Sequence, residues 1–247
     1  MERDARVEAN RIEACIREYF GALLDGKSTA HVADGDLAEM DRLAQLAGQI
    51  TGEEDSHVEW NIGTSSVEHV DGDTATGDVA ASTKGTAELP DGTKGTFIRN
   101  YTGPVQLKRV DSDWKVVDYL ANGRSIHGSS FLLGQKALRR AGVAVKPVAL
   151  EFRDVATLAY ISVENERREA VALREAVLKV PTARVWWRGG EGYIPAVEVP
   201  SMQQGITPAS WTPLETYPKR VRLKLSIGAA SGLDDLVDFS FELALAN

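Results

Sequence analysis

The pattern of apolar and polar positions is clearest between Ser56 and Leu120. At its start Val58, Trp60 and Ile62 alternate with polar residues, as in a strand that buries one of its faces. Further strand-like runs follow, and turn-forming residues separate them. The pattern predicts four β-strands joined by three turns, in the order of an antiparallel meander.

Each predicted turn has a chemical reason. Asp71-Gly72 tolerates the positive φ angles of a tight hairpin. In the second turn Pro90 presets one φ angle and Gly92 accepts another. The third turn is predicted at 110–113.

The predicted strands differ in character. The second, at about 74–88, is rich in Ala, Thr and Gly, so that a helix or a second sheet could approach it closely. The third contains Gly103-Pro104, where a bulge or an edge position is expected because proline has no N–H to donate. Strict alternation in the fourth places Asp118 on the same face as Trp114.

Two amphipathic helices are predicted before the strands. The first covers 4–25, where apolar residues recur at helical spacing. The second is predicted from Leu37 to Gln49, with Asp36 as its N-cap and Glu39 as the capping-box partner.

The second half of the chain is predicted to be β throughout. A short helix is expected at 131–141, and the domain boundary is expected at 142–147. The predicted domains are therefore residues 1–142 and 147–247. After the boundary about seven strand candidates follow at a spacing typical of a β-sandwich, and 200–218 is interpreted as a proline-rich loop.

Charge and composition narrow the function classes. The formal net charge is −8, and residues 1–145 carry 16 Lys+Arg against 23 Asp+Glu, which disfavours nucleic acid as a partner. Two short basic clusters, at 136–140 and 219–224, are interpreted as solvated surface.

The single cysteine, Cys15, excludes an internal disulfide and is expected to be buried. No apolar run is long enough to span a bilayer, and the N-terminus does not resemble a signal peptide. A cytoplasmic location is therefore the default expectation, and an extracytoplasmic location is the alternative if a natural signal lies outside this sequence.

Two segments carry a family resemblance. The sequence at 19–26, Tyr-Phe-Gly-Ala-Leu-Leu-Asp-Gly, resembles the end of the first helix in the NTF2-like superfamily, which includes SnoaL-like and ketosteroid isomerase-like proteins. The sequence at 113–119, Asp-Trp-Lys-Val-Val-Asp-Tyr, resembles the last strand of that family. For residues of about 5–125 the resemblance implies an α+β cone, in which a curved antiparallel sheet wraps the N-terminal helices around a pocket.

The second half is similar to bacterial immunoglobulin-like domains through the segment 161–165, Ile-Ser-Val-Glu-Asn. The expected fold class is therefore α+β, an NTF2-like cone followed by an all-β immunoglobulin-like sandwich. The sandwich resemblance implies no function of its own.

The cone resemblance implies candidate chemistry. Isomerases of this family pair a tyrosine of the first helix with carboxylates in the pocket. Tyr19 occupies the tyrosine position, and Asp118 or Arg99 could lie beside it. The alternative is that Tyr19 is a core aromatic residue and that Asp118 contacts a neighbouring strand.

Aromatic residues provide candidate binding contacts. In the first half these are Trp60, Tyr101 and Tyr119. In the second half they are Trp187 and Tyr193, together with the cation Arg188 beside them. An exposed tryptophan there could anchor a partner unless the 200–218 loop covers it.

The histidines show no metal-ligand spacing, so neither a metal nor a cofactor is expected. The leading hypothesis is a non-enzymatic binding or assembly protein that binds a protein partner or itself. The alternative is a small-molecule enzyme of the SnoaL or ketosteroid isomerase kind, with a small apolar ligand in the pocket.

Overall fold

The structure is a computed structural model, and it describes most of the chain. The described residues are 2–24, 28–51, 59–88, 94–121, 123–153, 156–181, 188–194, 197–214, 217–232 and 235–245.

Of the described residues 59% lie in strands and 19% in helices, so this part of the chain is mostly β-structure. In the described residues the α-helices are α1, Glu2–Leu24, and α2, Asp36–Thr51, and the strands form three antiparallel sheets. The predicted fold class, a helix-packed α+β cone followed by an immunoglobulin-like sandwich, is therefore wrong. Helical periodicity ends with α2, and strands make up most of the described chain after it.

The chain divides into two compact units. The first is Met1–Gln45 with Glu53–Gly128, and the second is Leu46–Gly52 with Ser129–Asn247. The contact-based division after residue 128 precedes the predicted boundary at 142–147, and residues 143–147 begin the strand Val143–Phe152.

The first unit contains the predicted meander. Its five strands are β1 Glu59–Asp71, β2 Thr74–Glu88, β3 Lys94–Val110, β4 Asp113–Ala121 and β5 Arg124–Ser125. They are hydrogen-bonded antiparallel in that order, which confirms the four long strands. Gly72 and Asp111 have φ angles of 58° and 57°, as tight turns require. The predicted turn at Pro90-Gly92 lies outside the described residues.

Helix α1 packs closely on the first sheet. Ile12, Ile16 and Phe20 are fully buried and belong to the same core as the inward residues of the sheet. A Cβ added to Gly77 of β2 would lie 2.7 Å from Ile16 Cδ1 and 2.6 Å from the carbonyl oxygen of Ser66. The small residues of the second strand thus allow the predicted close approach of a helix.

A β-bulge in β4 changes which side chains face the core. Gln106 pairs with Asp118 and Leu107 pairs with Val116, so Val117 is the extra residue. The predicted alternation fails here, because the bulge places Asp118 on the face opposite to Val116. The pairing of β2 with β3 continues without a shift through Gly103 and Pro104, so the irregularity lies in the neighbouring strand.

Two antiparallel sheets in the second unit share one apolar core. One sheet contains β6 Ser130–Leu132, β7 Leu138–Arg140, β8 Val143–Phe152, β9 Thr157–Asn165 and β13 Gln204–Trp211. The other contains β10 Val171–Val180, β11 Arg188–Glu191, β12 Glu198–Val199, β14 Arg220–Ala229 and β15 Val237–Ala244.

Two segments of the second unit differ from the prediction. The expected helix at 131–141 is replaced by β6 and β7, which both pair with β8. The expected loop at 200–218 contains β13, which pairs with β9 along its whole length. Pro208 is compatible with this strand because β13 is at the edge of its sheet.

Candidate functional site

Tyr19 lies on the buried face of α1. Its side chain is fully buried, and its hydroxyl is 3.5 Å from Oδ2 of Asp41 on α2. Its ring contacts Phe20 and Tyr119 with centroid distances of 5.2 and 5.5 Å. The helical spacing that buries Tyr19 thus also places its hydroxyl beside a carboxylate.

Two strands complete an aromatic group around this hydroxyl. Tyr101 of β3 and Tyr119 of β4 are buried, with ring centroids 5.8 Å apart, and Phe20 lies within 5.5 Å of both. We call Tyr19, Phe20, Tyr101, Tyr119 and Asp41 the tyrosine cluster. It lies entirely in the first unit.

The tyrosine cluster keeps the Tyr19 phenol neutral. Burial raises the pKa of Tyr19 well above its ordinary value, and Tyr119 and Asp41 add to this rise. A neutral phenol donates a hydrogen bond but does not act as a base near neutral pH. In this structure the hydroxyl is directed at the Asp41 carboxylate.

Asp118 is not part of this cluster. Its carboxylate accepts hydrogen bonds from Ser125 Oγ at 2.6 Å and from the backbone N–H of His127 at 2.9 Å. It therefore fixes the turn after β5, consistent with its outward position at the bulge. The predicted combination of Tyr19 with Asp118 is not formed.

Asp41 is the carboxylate that the sequence analysis missed. It follows Leu37 by four positions, and residues at this spacing lie on one face of a helix. Leu37 is buried in the core of the first unit. An acidic residue on the same face of α2 as this core leucine could therefore have identified Asp41 as a buried carboxylate.

The remaining candidates do not join the cluster in the described part of the molecule. Trp187 lies outside the described residues, as do the side chains of Trp60, Arg99 and Arg188. Tyr193 belongs to the second unit and is 38% exposed. Its backbone exchanges two hydrogen bonds with Ser210 of β13, at 2.7 and 2.9 Å.

A second polar cluster in the first unit joins the start of α1 to the β3–β4 hairpin. Glu8 Oε1 accepts hydrogen bonds from Arg109 and from Trp114 Nε1, the latter at 2.7 Å. The Arg109 guanidinium also lies over the Trp114 ring, 4.8 Å from its centroid. These contacts hold the helix on the sheet, and each of the three side chains already has a partner.

Cys15 is a structural residue in the same region. Its thiol donates to the carbonyl oxygen of Trp114 at 3.0 Å. Burial, with a smaller contribution from Glu18, raises the pKa of the thiol to about 11. A thiol that stays protonated at neutral pH is a poor nucleophile.

Potential metal ligands are scattered. In the described part of the chain, no group of three or more His, Cys, Asp or Glu side chains is placed to hold a metal ion. No helix there is both long and apolar enough to cross a membrane.

Comparison with known proteins adds no family to these observations. No protein-family model matches the chain, and a search of curated proteins finds no match either.

Proposed function

We propose that this chain is a non-enzymatic binding or assembly protein that uses its two units as interaction modules. The observation that supports this most is the bulge at Val117. It turns Asp118 away from Tyr19, and both residues already contribute to the stability of the fold. The predicted catalytic pair is thereby separated.

The outward face of β3 is a suitable interaction surface. Six successive alternate residues of this strand are exposed and uncharged: Thr96, Ile98, Asn100, Thr102, Pro104 and Gln106. Exposed charges border this row at Lys108, the next alternate residue, and at Lys84, which is paired with Ile98. Ile98 is 59% exposed, the largest exposure among the described aliphatic side chains of this sheet. Depletion of charge is typical of the centre of protein interfaces.

Light scattering coupled to size-exclusion chromatography tests this proposal. We expect the molar mass to rise with protein concentration and Ile98→Asp to suppress the rise, because a carboxylate would be buried in the interface. Val70→Asp, at another exposed aliphatic residue of the same sheet, is the matched control. The proposal would be contradicted if the protein were monomeric at every concentration and also bound no partner protein.

A small-molecule enzyme is a second candidate, favoured by the tyrosine cluster. The Tyr19 hydroxyl and the Asp41 carboxylate are within 3.5 Å of each other, and Tyr119 is in contact with the same phenol. To test it, the protein is mixed with a panel of small carbonyl compounds. The change in its thermal unfolding temperature reports binding, and product formation reports turnover. Turnover that Tyr19→Phe and Asp41→Asn both abolish, while Ile98→Asp does not, would favour this candidate over the first.

A further inference from the structure

Two oppositely charged residues of the first sheet stand at the ends of an uncharged patch. Ala75, Val79 and Ala81 of β2 are buried in the core, so the residues that alternate with them face outward. We call eight outward residues the sheet block, paired across the two strands in this order: Asp78, Ala80, Ser82 and Lys84 of β2 with Pro104, Thr102, Asn100 and Ile98 of β3. The sheet block is acidic at one end, basic at the other and uncharged between them.

The acidic end holds a second carboxylate. Glu68 is the extra residue of a β-bulge in β1, between Val67 and His69. A side-chain hydrogen bond with Asp78, together with the charge of that residue, raises the pKa of Glu68. Two carboxyl groups form such a bond by sharing a proton, and they repel each other when both are ionised. In the described part of the chain neither carboxylate has an ion pair, so a cation over them would relieve this repulsion.

The basic end is a single exposed lysine. Lys84 is three alternate positions from Asp78, a distance of about 20 Å along a strand, so the two charges do not pair within one chain. Glu59 of β1 is opposite Lys84 in the register. Among the described contacts, however, the Lys84 ammonium forms no ion pair.

The sheet block is matched to itself by a two-fold rotation. An axis that crosses both strands through the middle of the block exchanges Asp78 with Lys84. Because of the register, the same axis exchanges Ile98 with Pro104 on β3. A second copy that is turned about this axis and laid face to face places opposite charges together at both ends. The same surface then lies on both sides of the contact, as in an isologous dimer.

We propose that the sheet block pairs face to face with the sheet block of a second copy of this chain, so that Lys84 of each copy lies over Asp78 and Glu68 of the other. Packed sheets are about 10 Å apart, a gap that a lysine and a carboxylate side chain span together. Uncharged residues fill the centre, where protein interfaces are depleted of charge. This inference rests on the proposed assembly function, and it names the partner and the contact.

Exchange of charges tests the arrangement in the full chain. Lys84→Glu places carboxylates together at both ends of the interface, and Asp78→Lys places ammonium groups together at both ends. We expect each variant alone to raise the dissociation constant of self-association about tenfold or more in sedimentation equilibrium. An equimolar mixture of the two variants should associate again, because each end of the mixed pair joins a carboxylate to an ammonium group. The double variant Lys84→Glu/Asp78→Lys should self-associate for the same reason.

The control is Lys136→Glu, which changes the net charge as Lys84→Glu does, at an exposed residue of the second unit. It should leave the dissociation constant unchanged. Circular dichroism checks the folding of every variant. If a reversed charge prevents folding, Lys84→Gln replaces it and should still weaken association, by a smaller factor.

Two outcomes would overturn this inference and leave the proposed function in place. One is self-association that Ile98→Asp suppresses but both charge variants leave unchanged. The other is self-association that the single variants lose and that mixing does not recover. A wild-type chain that stays monomeric at every concentration would also overturn the inference, and the proposed function would then depend on binding of another protein.

Discussion

Asn165 shows how a single polar side chain determines local structure in the second unit. Only 1% of its surface is exposed. Its amide Nδ2 lies 2.8 to 3.0 Å from the carbonyl oxygens of Glu169, Val199 and Pro200, and its Oδ1 accepts from the N–H of Arg167. One amide thereby holds the end of β9 to β12 and to the turn that precedes β10.

The first prediction concerns this amide. Asn165→Asp would place a carboxylate against three carbonyl oxygens, and we expect it to lower the free energy of unfolding by roughly 3 kcal/mol. Protonation would restore a donor, so the folded state would raise the pKa of the new carboxyl. The loss should therefore shrink as pH falls below the ordinary aspartate value and grow as pH rises through the raised value.

Urea unfolding followed by circular dichroism at neutral and at acidic pH measures both effects. Ser201→Ala is the control in the same turn, because it removes only the hydrogen bond from Ser201 to the carbonyl of Arg167 and should cost about 1 kcal/mol. An Asn165→Asp variant as stable as this control at neutral pH would contradict the assigned role.

At the scale of elements, the regular parts of the fold follow from the sequence and the irregular parts do not. Helical spacing predicts α1 and α2, and Asp-Gly chemistry predicts the first hairpin, because both signals are local. The bulge at Val117 has no local signal, since it depends on how β3 and β4 pair. The bulge places Asp118 on the outward face of the sheet, so the predicted site that combines Tyr19 with Asp118 is not formed.

Strand β13 was missed for a related reason. Prolines at 200 and 208 indicate a loop when position in the sheet is unknown, but an edge strand accepts a proline. The partner of Tyr19 was likewise missed, because contact between α1 and α2 is a tertiary feature. The predicted fold class was wrong because two short sequence motifs, at 19–26 and 113–119, do not determine the fold of a whole domain.

The second prediction concerns the approach of α1 to the first sheet. Gly77→Ala would bring a methyl group to 2.6 Å from a backbone oxygen of β1, where strain cannot be relieved by a rotamer change. We expect a loss of about 2 kcal/mol or more in thermal or urea unfolding. Gly21→Ala is the control, because nothing lies within 4 Å of its added Cβ and alanine favours a helix by about 1 kcal/mol. Similar losses in both variants would contradict close packing at Gly77.

At the scale of the whole molecule, most of the described core residues belong to two clusters that share no member. One lies between α1, α2 and the first sheet, and the other lies between the two sheets of the second unit. The only cysteine of the chain is in the first cluster. Its thiol is therefore a reporter of the opening of one unit.

The third prediction uses this reporter. Cys15 is 6% exposed and its thiol has a pKa of about 11, so a thiol reagent should label it only after the first unit opens. Gly77→Ala should shift the onset of labelling to lower urea concentration, because it strains the contact between α1 and β2. Asn165→Asp should leave that onset unchanged although it lowers overall stability. If both variants shifted labelling equally, the two cores would unfold as one cooperative structure, and each could not serve as a separate module.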